Sequence, residues 1–307
     1  MQGLVIKTTG TAYLVQPDDR SQPPVMCQIK GNFRIRGIRS TNPAAVGDRV
    51  EVEQQSDGTN WLTDILPRRN YIIRRSTNLS KQVHILAANL DQAVLVVTVA
   101  HPVTSPTFID RFLATAEAYR IPAVLIFNKT DLMNDSEQAQ LHEWQQLYES
   151  LGYTTLALSA LQLDRTALEP LLAGKVSLLS GNSGVGKSTL LNALLGQEMT
   201  RTAALSAVHD AGMHTTTYSE MYPYGTGWLI DTPGIKGFGS VEMEKEEVSH
   251  YFREIFRIGR ECRYANCLHT GEPGCAVLHA LQEGQISESR FNSYLSLLGD
   301  SDEAKYR

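Results

Sequence analysis

The sequence predicts a multidomain protein: a small N-terminal β-barrel, a central α/β domain with a parallel sheet, and a helical C-terminal domain. Three observations predict it. Short apolar strands with turn punctuation fill residues 1 to about 66, and strands alternate with helices after residue 67. From about residue 241 the chain turns helical and acidic, and three of its four cysteines crowd between Cys262 and Cys275 beside His269. The boundaries read this way are 1–66, 67–240 and 241–307, and a length of 307 residues has room for them at roughly 150 residues per domain.

Composition narrows the class further. With 42% hydrophobic and 20% charged residues the chain is too apolar for a disordered protein. Apolar runs such as Ala93–Val97 are far short of the ~20 residues a bilayer span needs. Met1–Thr8 lacks a charged region followed by an apolar one, so no signal peptide is expected, and four cysteines cannot form a disulfide scaffold. A cytoplasmic, membrane-free protein is the expectation. The net charge of −5 hides an asymmetry: through Arg75 there are eleven Lys/Arg against seven Asp/Glu, and the excess of acid lies beyond. A chain basic throughout is excluded, whereas a local basic face near the N-terminus is not.

In the first domain, Leu4–Ile6, Ala12–Val15, Val25–Ile29 and Asp48–Glu53 read as strands, and an oligonucleotide-binding (OB-like) barrel would need five. The stretch Lys30–Arg39 mixes four cations with Phe33, the pairing that meets phosphates and a base; a solvated hairpin loop would look the same. Leu66–Asn70 reads as a linker. Beyond it come a buried strand (Ala93–Val97), a helix entered through Ser105 and Pro106, a strand (Ala123–Phe127), a helix over 136–150, a strand over 154–158, a helix over 164–173 and a strand over 175–180.

The strongest motif is Gly181, Asn182, Ser183, Gly184, Val185, Gly186, Lys187 and Ser188, followed by Thr189: the first eight fit G-x-x-x-x-G-K-[ST] between a strand and a helix. Its glycines let backbone N–H groups wrap phosphate oxygens at a helix N-terminus. Lys187 would reach the β- and γ-phosphates and Ser188 would ligate Mg²⁺. Asn128, Lys129, Thr130 and Asp131 follow a buried strand as N-K-x-D. The Asp131 carboxylate suits the two donors on the guanine edge and would be left unpaired against adenine, so GTP and GDP are the expected nucleotides. Ser159 and Ala160 end the next strand, where a backbone N–H would meet guanine O6. Asp231 opens Asp-Thr-Pro-Gly after the strand Trp228–Ile230: it would hold Mg²⁺ through water, and the Gly234 N–H would sense the γ-phosphate. Thr215, Thr216 and Thr217 offer hydroxyls for the metal, of which Thr216 is our assignment. A small-molecule kinase would share the phosphate loop but has no use for Asn128, Asp131 and these threonines. A purely RNA-binding protein would leave Lys187 and Ser188 idle.

The motifs occur in the order Asn128, Ser159, Gly181, Thr215, Asp231, a cyclic shift of the usual GTPase order. The central domain is therefore read as a circularly permuted P-loop GTPase, a rearrangement tolerated where domain termini lie close together at the surface.

A barrel, a permuted GTPase and a Cys/His domain together resemble the small-ribosomal-subunit-dependent GTPases of the RsgA (YjeQ) family. The elements that carry the resemblance are Val46–Val50, Leu66–Asn70, Gly181–Thr189, His214–Thr217, Asp231–Ile235 and the Cys/His spacing with Glu272–Val277. The resemblance implies a late assembly factor whose GTPase is stimulated by the small (30S) ribosomal subunit, and a barrel that contacts rRNA. Cys262, Cys267, His269 and Cys275 complete a closed tetrahedral set, which points to one structural Zn²⁺. Ile235 stands where Ras-like enzymes place a water-orienting glutamine and can do neither that nor accept a proton. His214 matches the family's switch histidine and is the candidate to guide the water, with Lys187 neutralising charge. Family members usually carry Arg before this histidine, where this chain has Met213. A monomer is the expected state.

Overall fold

Alternating burial along the first strands closes them into a barrel in the computed structural model, which describes residues 1–9, 12–29, 43–75, 83–196, 219–231 and 243–304. The strands are β1 (Gln2–Thr8), β2 (Ala12–Pro17), β3 (Val25–Ile29), β4 (Arg49–Gln54) and β5 (Asn60–Ile65). They run in the order β1-β2-β3-β5-β4, and β4 pairs back with β1 to complete the closure. Only β3 and β5 are parallel. Val5, Tyr13, Val15, Cys27, Val50, Val52 and Leu62 fill the interior. Cys27 is fully buried, and burial pushes its thiol up to about 11, as befits an inert core residue. The basic stretch Lys30–Arg39 lies outside the described residues.

The segment read as a linker is pinned at both arginines. Arg68 donates from Nε and Nη2 to the buried Asp48 carboxylate at 2.7 and 2.6 Å, and to the Pro43 carbonyl at 2.9 Å. Arg69 Nη2 reaches Asp91 Oδ1 at 2.7 Å and the Leu90 carbonyl at 3.0 Å. A hairpin of β6 (Tyr71–Arg75) and β7 (Val83–Ala88) follows, which the sequence reading does not anticipate.

The chain divides into two compact units, the first comprising Met1–Val94, Ala160–Gly181 and Gly186–Ile235. Besides the barrel, this unit holds a helix α3 (Arg165–Leu172), β11 (Val176–Ser180), α4 (Lys187–Leu195), β12 (Glu220–Tyr224) and β13 (Gly227–Asp231). β11 and β13 are parallel with Leu179 opposite Asp231, whereas β12 and β13 form an antiparallel hairpin. The barrel joins this sheet where Lys7 of β1 pairs with Glu220 of β12, and their side chains form an ion pair at 3.2 Å. Arg20 reinforces the junction, donating to the Thr226 carbonyl at 3.0 Å and lying over the Trp228 ring.

β8 (Gln92–Val97), buried along its whole length, carries the chain into the second unit. There, α1 (Pro106–Ala118) starts where the Ser105 hydroxyl accepts the Phe108 N–H and Pro106 occupies the first turn. Its buried face includes Ile109, Phe112, Leu113 and Ala116. β9 (Ala123–Phe127) and β10 (Thr154–Ala157) are parallel, joined by α2 (Asp135–Ser150), whose Asn134 and Glu137 form a reciprocal capping box. The C-terminal part supplies a 3₁₀ turn (Lys245–Tyr251), α5 (Arg253–Gly259), α6 (Ala276–Gln282) and α7 (Glu288–Ala304). Val248, Phe252, Ile255, Val277, Ile286 and Tyr294 form its core.

A cluster of charged residues is sealed beside that core. Arg290 donates to Asp110 Oδ1 at 2.7 Å and to both Glu254 oxygens at 2.7 and 3.1 Å, and Tyr148 adds a hydroxyl to Asp110 at 3.0 Å. All four side chains are buried, so their polar groups are met by one another rather than by water. Among the described residues no helix is long and apolar enough to cross a membrane.

Candidate nucleotide and metal sites

The base-recognition motif is set by the ends of two parallel strands. The Leu158 N–H donates to the Phe127 carbonyl at 2.9 Å and the Asn128 N–H to the Val97 carbonyl at 2.8 Å, which brings residues 128–131 beside Ser159. Asn128 is buried, and its amide donates to the Val185 carbonyl at 2.8 Å, tying this motif to the phosphate loop. Lys129 takes a left-handed conformation (φ +65°) and caps a single 3₁₀ turn, Thr130–Leu132. Its ammonium donates to the His101 carbonyl at 2.6 Å, a contact no motif announces. Asp131 stands exposed on that turn. The Ser159 hydroxyl is buried and makes no hydrogen bond within the protein, a polar group available to a ligand. Ala160, also buried, opens the next 3₁₀ turn.

The phosphate side is built on the end of β11 and the start of α4. Gly186 is the N-cap of α4 at φ +91°, a conformation glycine adopts without strain, and no side chain caps the helix. The first-turn N–H groups, Lys187 and Ser188 among them, thus face outward as anion donors. Gly184 is also left-handed (φ +85°). Asn182, Ser183, Ser188 and Thr189 are exposed, whereas Val185 is fully buried and anchors the loop. Lys187 Nζ lies 3.5 Å from Asp231 Oδ1. That oxygen is buried without a hydrogen-bond partner, and an orphaned carboxylate oxygen beside an ammonium suits a site for a hydrated dication and a polyanion. Gly234, Thr216 and His214, with the other switch threonines, lie outside the described residues.

The Cys/His residues converge. The ligand atoms of Cys262, Cys267, His269 and Cys275 all lie within 4.8 Å of one another. His269 presents Nδ1, 3.6 Å from Cys262 Sγ and 3.4 Å from Cys275 Sγ. Burial, with the neighbouring thiols adding to it, pushes the Cys267 thiol up to about 12. Three soft donors and one imidazole at these separations can hold a tetrahedral metal ion. The surroundings fix the ligands. Cys275 caps α6, accepting the Leu278 N–H, and Gly259 lies where a Cβ would press on the His269 ring at 3.2 Å. Glu272 accepts N–H groups from Leu268, Thr270 and Gly271 on either side of His269. Burial alone would raise the Glu272 carboxyl, but these donors outweigh it and hold it at about 2. Tyr294 closes the shell by donating to the Leu268 carbonyl at 2.7 Å.

Residues 65–241 match the model of the RsgA GTPase and residues 2–62 that of the RsgA N-terminal domain. Over its full length the chain is 57% identical to the small ribosomal subunit biogenesis GTPase RsgA of Bacteroides fragilis, covering 99% of that protein. It is 54% identical to the protein of the same description from Porphyromonas gingivalis, with the same coverage. Among solved structures it is similar to YjeQ from Thermotoga maritima (TM-score 0.77, 31% identity, 98% of each chain covered). It is also similar to YloQ, described as a circularly permuted GTPase (TM-score 0.76, 27% identity, 100% of this chain and 96% of that one).

Proposed function

The chain belongs to the RsgA GTPase family, and on that premise we propose that it hydrolyses GTP as a late maturation factor of the small ribosomal subunit, which stimulates its turnover. The observation that supports the reading best is the bond from Asn128 to the Val185 carbonyl, because it fastens a guanine-type motif to a phosphate loop. In this reading Asp131 accepts the two guanine donors, Asn128 braces the site, and the Lys129 stem covers the ring. Thr130, Ser159 and Ala160 line the base. Residues Gly181–Thr189 bind the phosphates through their backbone and Lys187, and Gly234 senses the γ-phosphate.

Ser188, Thr216 and Asp231 would hold Mg²⁺, which when bound would supply charge neutralisation to the phosphates. Lys187 neutralises the remaining developing charge, and His214 orients the attacking water that Ile235 cannot. Turnover is therefore slow until the small ribosomal subunit stimulates it. Cys262, Cys267, His269 and Cys275 would hold one Zn²⁺; a closed ligand set would make it a structural staple rather than a catalyst.

Three functional regions follow: residues 1–66 as an RNA-binding barrel, 67–240 as the GTPase and 241–307 as the zinc domain. Contact with rRNA is supported by the cations of Lys30–Arg39. On the C-terminal domain, Arg260 lies over Phe256 and Arg263 over Tyr264, both rings exposed. The protein acts as a cytoplasmic monomer. Equilibrium titration tests the nucleotide assignment: GDP and GTP bind, ADP and ATP do not compete, and equal displacement by ATP would revive the kinase alternative.

A further inference from the structure

The loop that follows β8 touches both halves of the nucleotide-binding motifs, although it carries no motif of its own. Its base is cinched by two buried threonines. The Thr98 hydroxyl donates to the Pro102 carbonyl at 2.5 Å, the Thr98 N–H donates to the Thr104 hydroxyl at 3.2 Å, and the Thr104 N–H returns to the Thr98 carbonyl at 3.0 Å. Residues 99–103 are thereby held as a closed turn with His101 in the left-handed region (φ +60°).

Two contacts leave this turn. The His101 carbonyl accepts the Lys129 ammonium at 2.6 Å, so a flexible four-carbon stem is fixed at its far end. The Pro102 ring faces Gly184: a methyl group placed on that glycine would stand 3.5 Å from the ring, in ordinary van der Waals contact. Gly184 immediately precedes Val185, whose carbonyl takes the Asn128 amide. The base motif and the phosphate loop are thus joined by two struts, one through Asn128 and Val185, the other through Lys129, His101, Pro102 and Gly184.

We propose that the Thr98–Thr104 turn is a positioning element of the guanine-nucleotide site, in which the Thr98 and Thr104 hydroxyls set where the Lys129 stem and Gly184 stand before nucleotide arrives. The inference rests on the reading of residues 128–131 and 181–189 as that site. A lysine stem held in place loses little freedom when a purine lies along it, and a phosphate loop already supported does not have to be ordered by its ligand. The threonines touch no nucleotide themselves and act through Lys129 and Gly184.

A double-mutant cycle on the full chain, read as GDP affinity, tests this. Thr98→Val removes the hydroxyl at constant shape, and Lys129→Met keeps the stem but removes the ammonium. Each is expected to weaken GDP about 10-fold, and the double variant no more than the weaker single one, because both break the same strut. Thr98→Ser, which restores the hydroxyl, should recover the affinity. Additive losses, or a lowered melting temperature with unchanged GDP affinity, would reduce the turn to a structural element and overturn the proposal. If the threonine variants fold poorly, exposed Pro102 offers a second route: Pro102→Ala should weaken GDP about threefold, and an unchanged affinity overturns the proposal equally. Asp131→Ala separates this proposal from its premise. If that variant binds GDP normally, the reading of the base site is at fault. If it weakens GDP while Thr98→Val does not, only the positioning role fails.

Discussion

The Lys187 ammonium and Asp231 Oδ1 stand 3.5 Å apart, joining the first turn of α4 to the last residue of β13. The two groups have opposite duties in the proposed reaction, since one meets phosphate oxygens and the other the metal. Lys187→Ala should weaken GTP and GDP about 10- to 100-fold, the loss expected for a charge-assisted contact. Asp231→Asn should leave GDP affinity within a few-fold and cut Mg²⁺-dependent turnover on the order of 100-fold. Fluorescent-nucleotide titration with a turnover assay reads both, and equal effects of the two variants on binding would contradict the division of roles.

Base selection should follow the edge of Asp131. An aspartate offers two acceptors to the two guanine donors, whereas Asn presents one donor and one acceptor. Asp131→Asn is expected to weaken GDP at least 10-fold and to bind xanthosine diphosphate better, because xanthine replaces the exocyclic donor by a carbonyl. Competition between the two diphosphates measures it.

Metal analysis of the purified protein should find one zinc per chain. Cys275→Ser removes a ligand and the Sγ acceptor for the Leu278 N–H, so zinc loss should be accompanied by a lower melting temperature. Glu272→Gln leaves every ligand in place but loosens the turn around His269, and roughly 10-fold weaker zinc binding is expected in a chelator competition.

The buried Arg290 cluster makes a prediction of opposite sign for single and combined changes. Arg290→Met strands the carboxylates of Asp110 and Glu254 in the core and should cost about 3–5 kcal/mol. Converting all three residues to apolar ones of similar size should recover most of that loss. Chemical denaturation followed by tryptophan fluorescence and circular dichroism measures the two.

Much of this was legible in the chain because its signals are local. The spacing of Gly181–Lys187, the run Asn128–Asp131 and the Cys262–Cys275 cluster are each contained within fourteen residues. Their cyclic order revealed the permutation. Elements whose pattern is broken were missed. β5 has a single fully buried side chain, Leu62, so alternation gives little sign of it. β12 carries Pro223 inside the strand, which argues against a strand on sight. The struts that organise the molecule were out of reach for a different reason. Arg290 meets Asp110 across 180 residues, and Lys129 binds a backbone carbonyl, a partner that every residue type offers alike. Leu66–Asn70 reads as a linker in the sequence, because nothing local shows that Asp48 and Asp91 receive its arginines.

In the proposed function, the small ribosomal subunit switches on a permuted guanine-nucleotide hydrolase. The most direct measurement is GTP turnover by the full chain with purified small subunits, with large subunits and with neither. Slow hydrolysis alone and with large subunits, rising at least 10-fold with small subunits and lost in His214→Ala at unchanged nucleotide affinity, is the predicted result. Equal turnover in the three conditions, or full stimulation retained by His214→Ala, would contradict it.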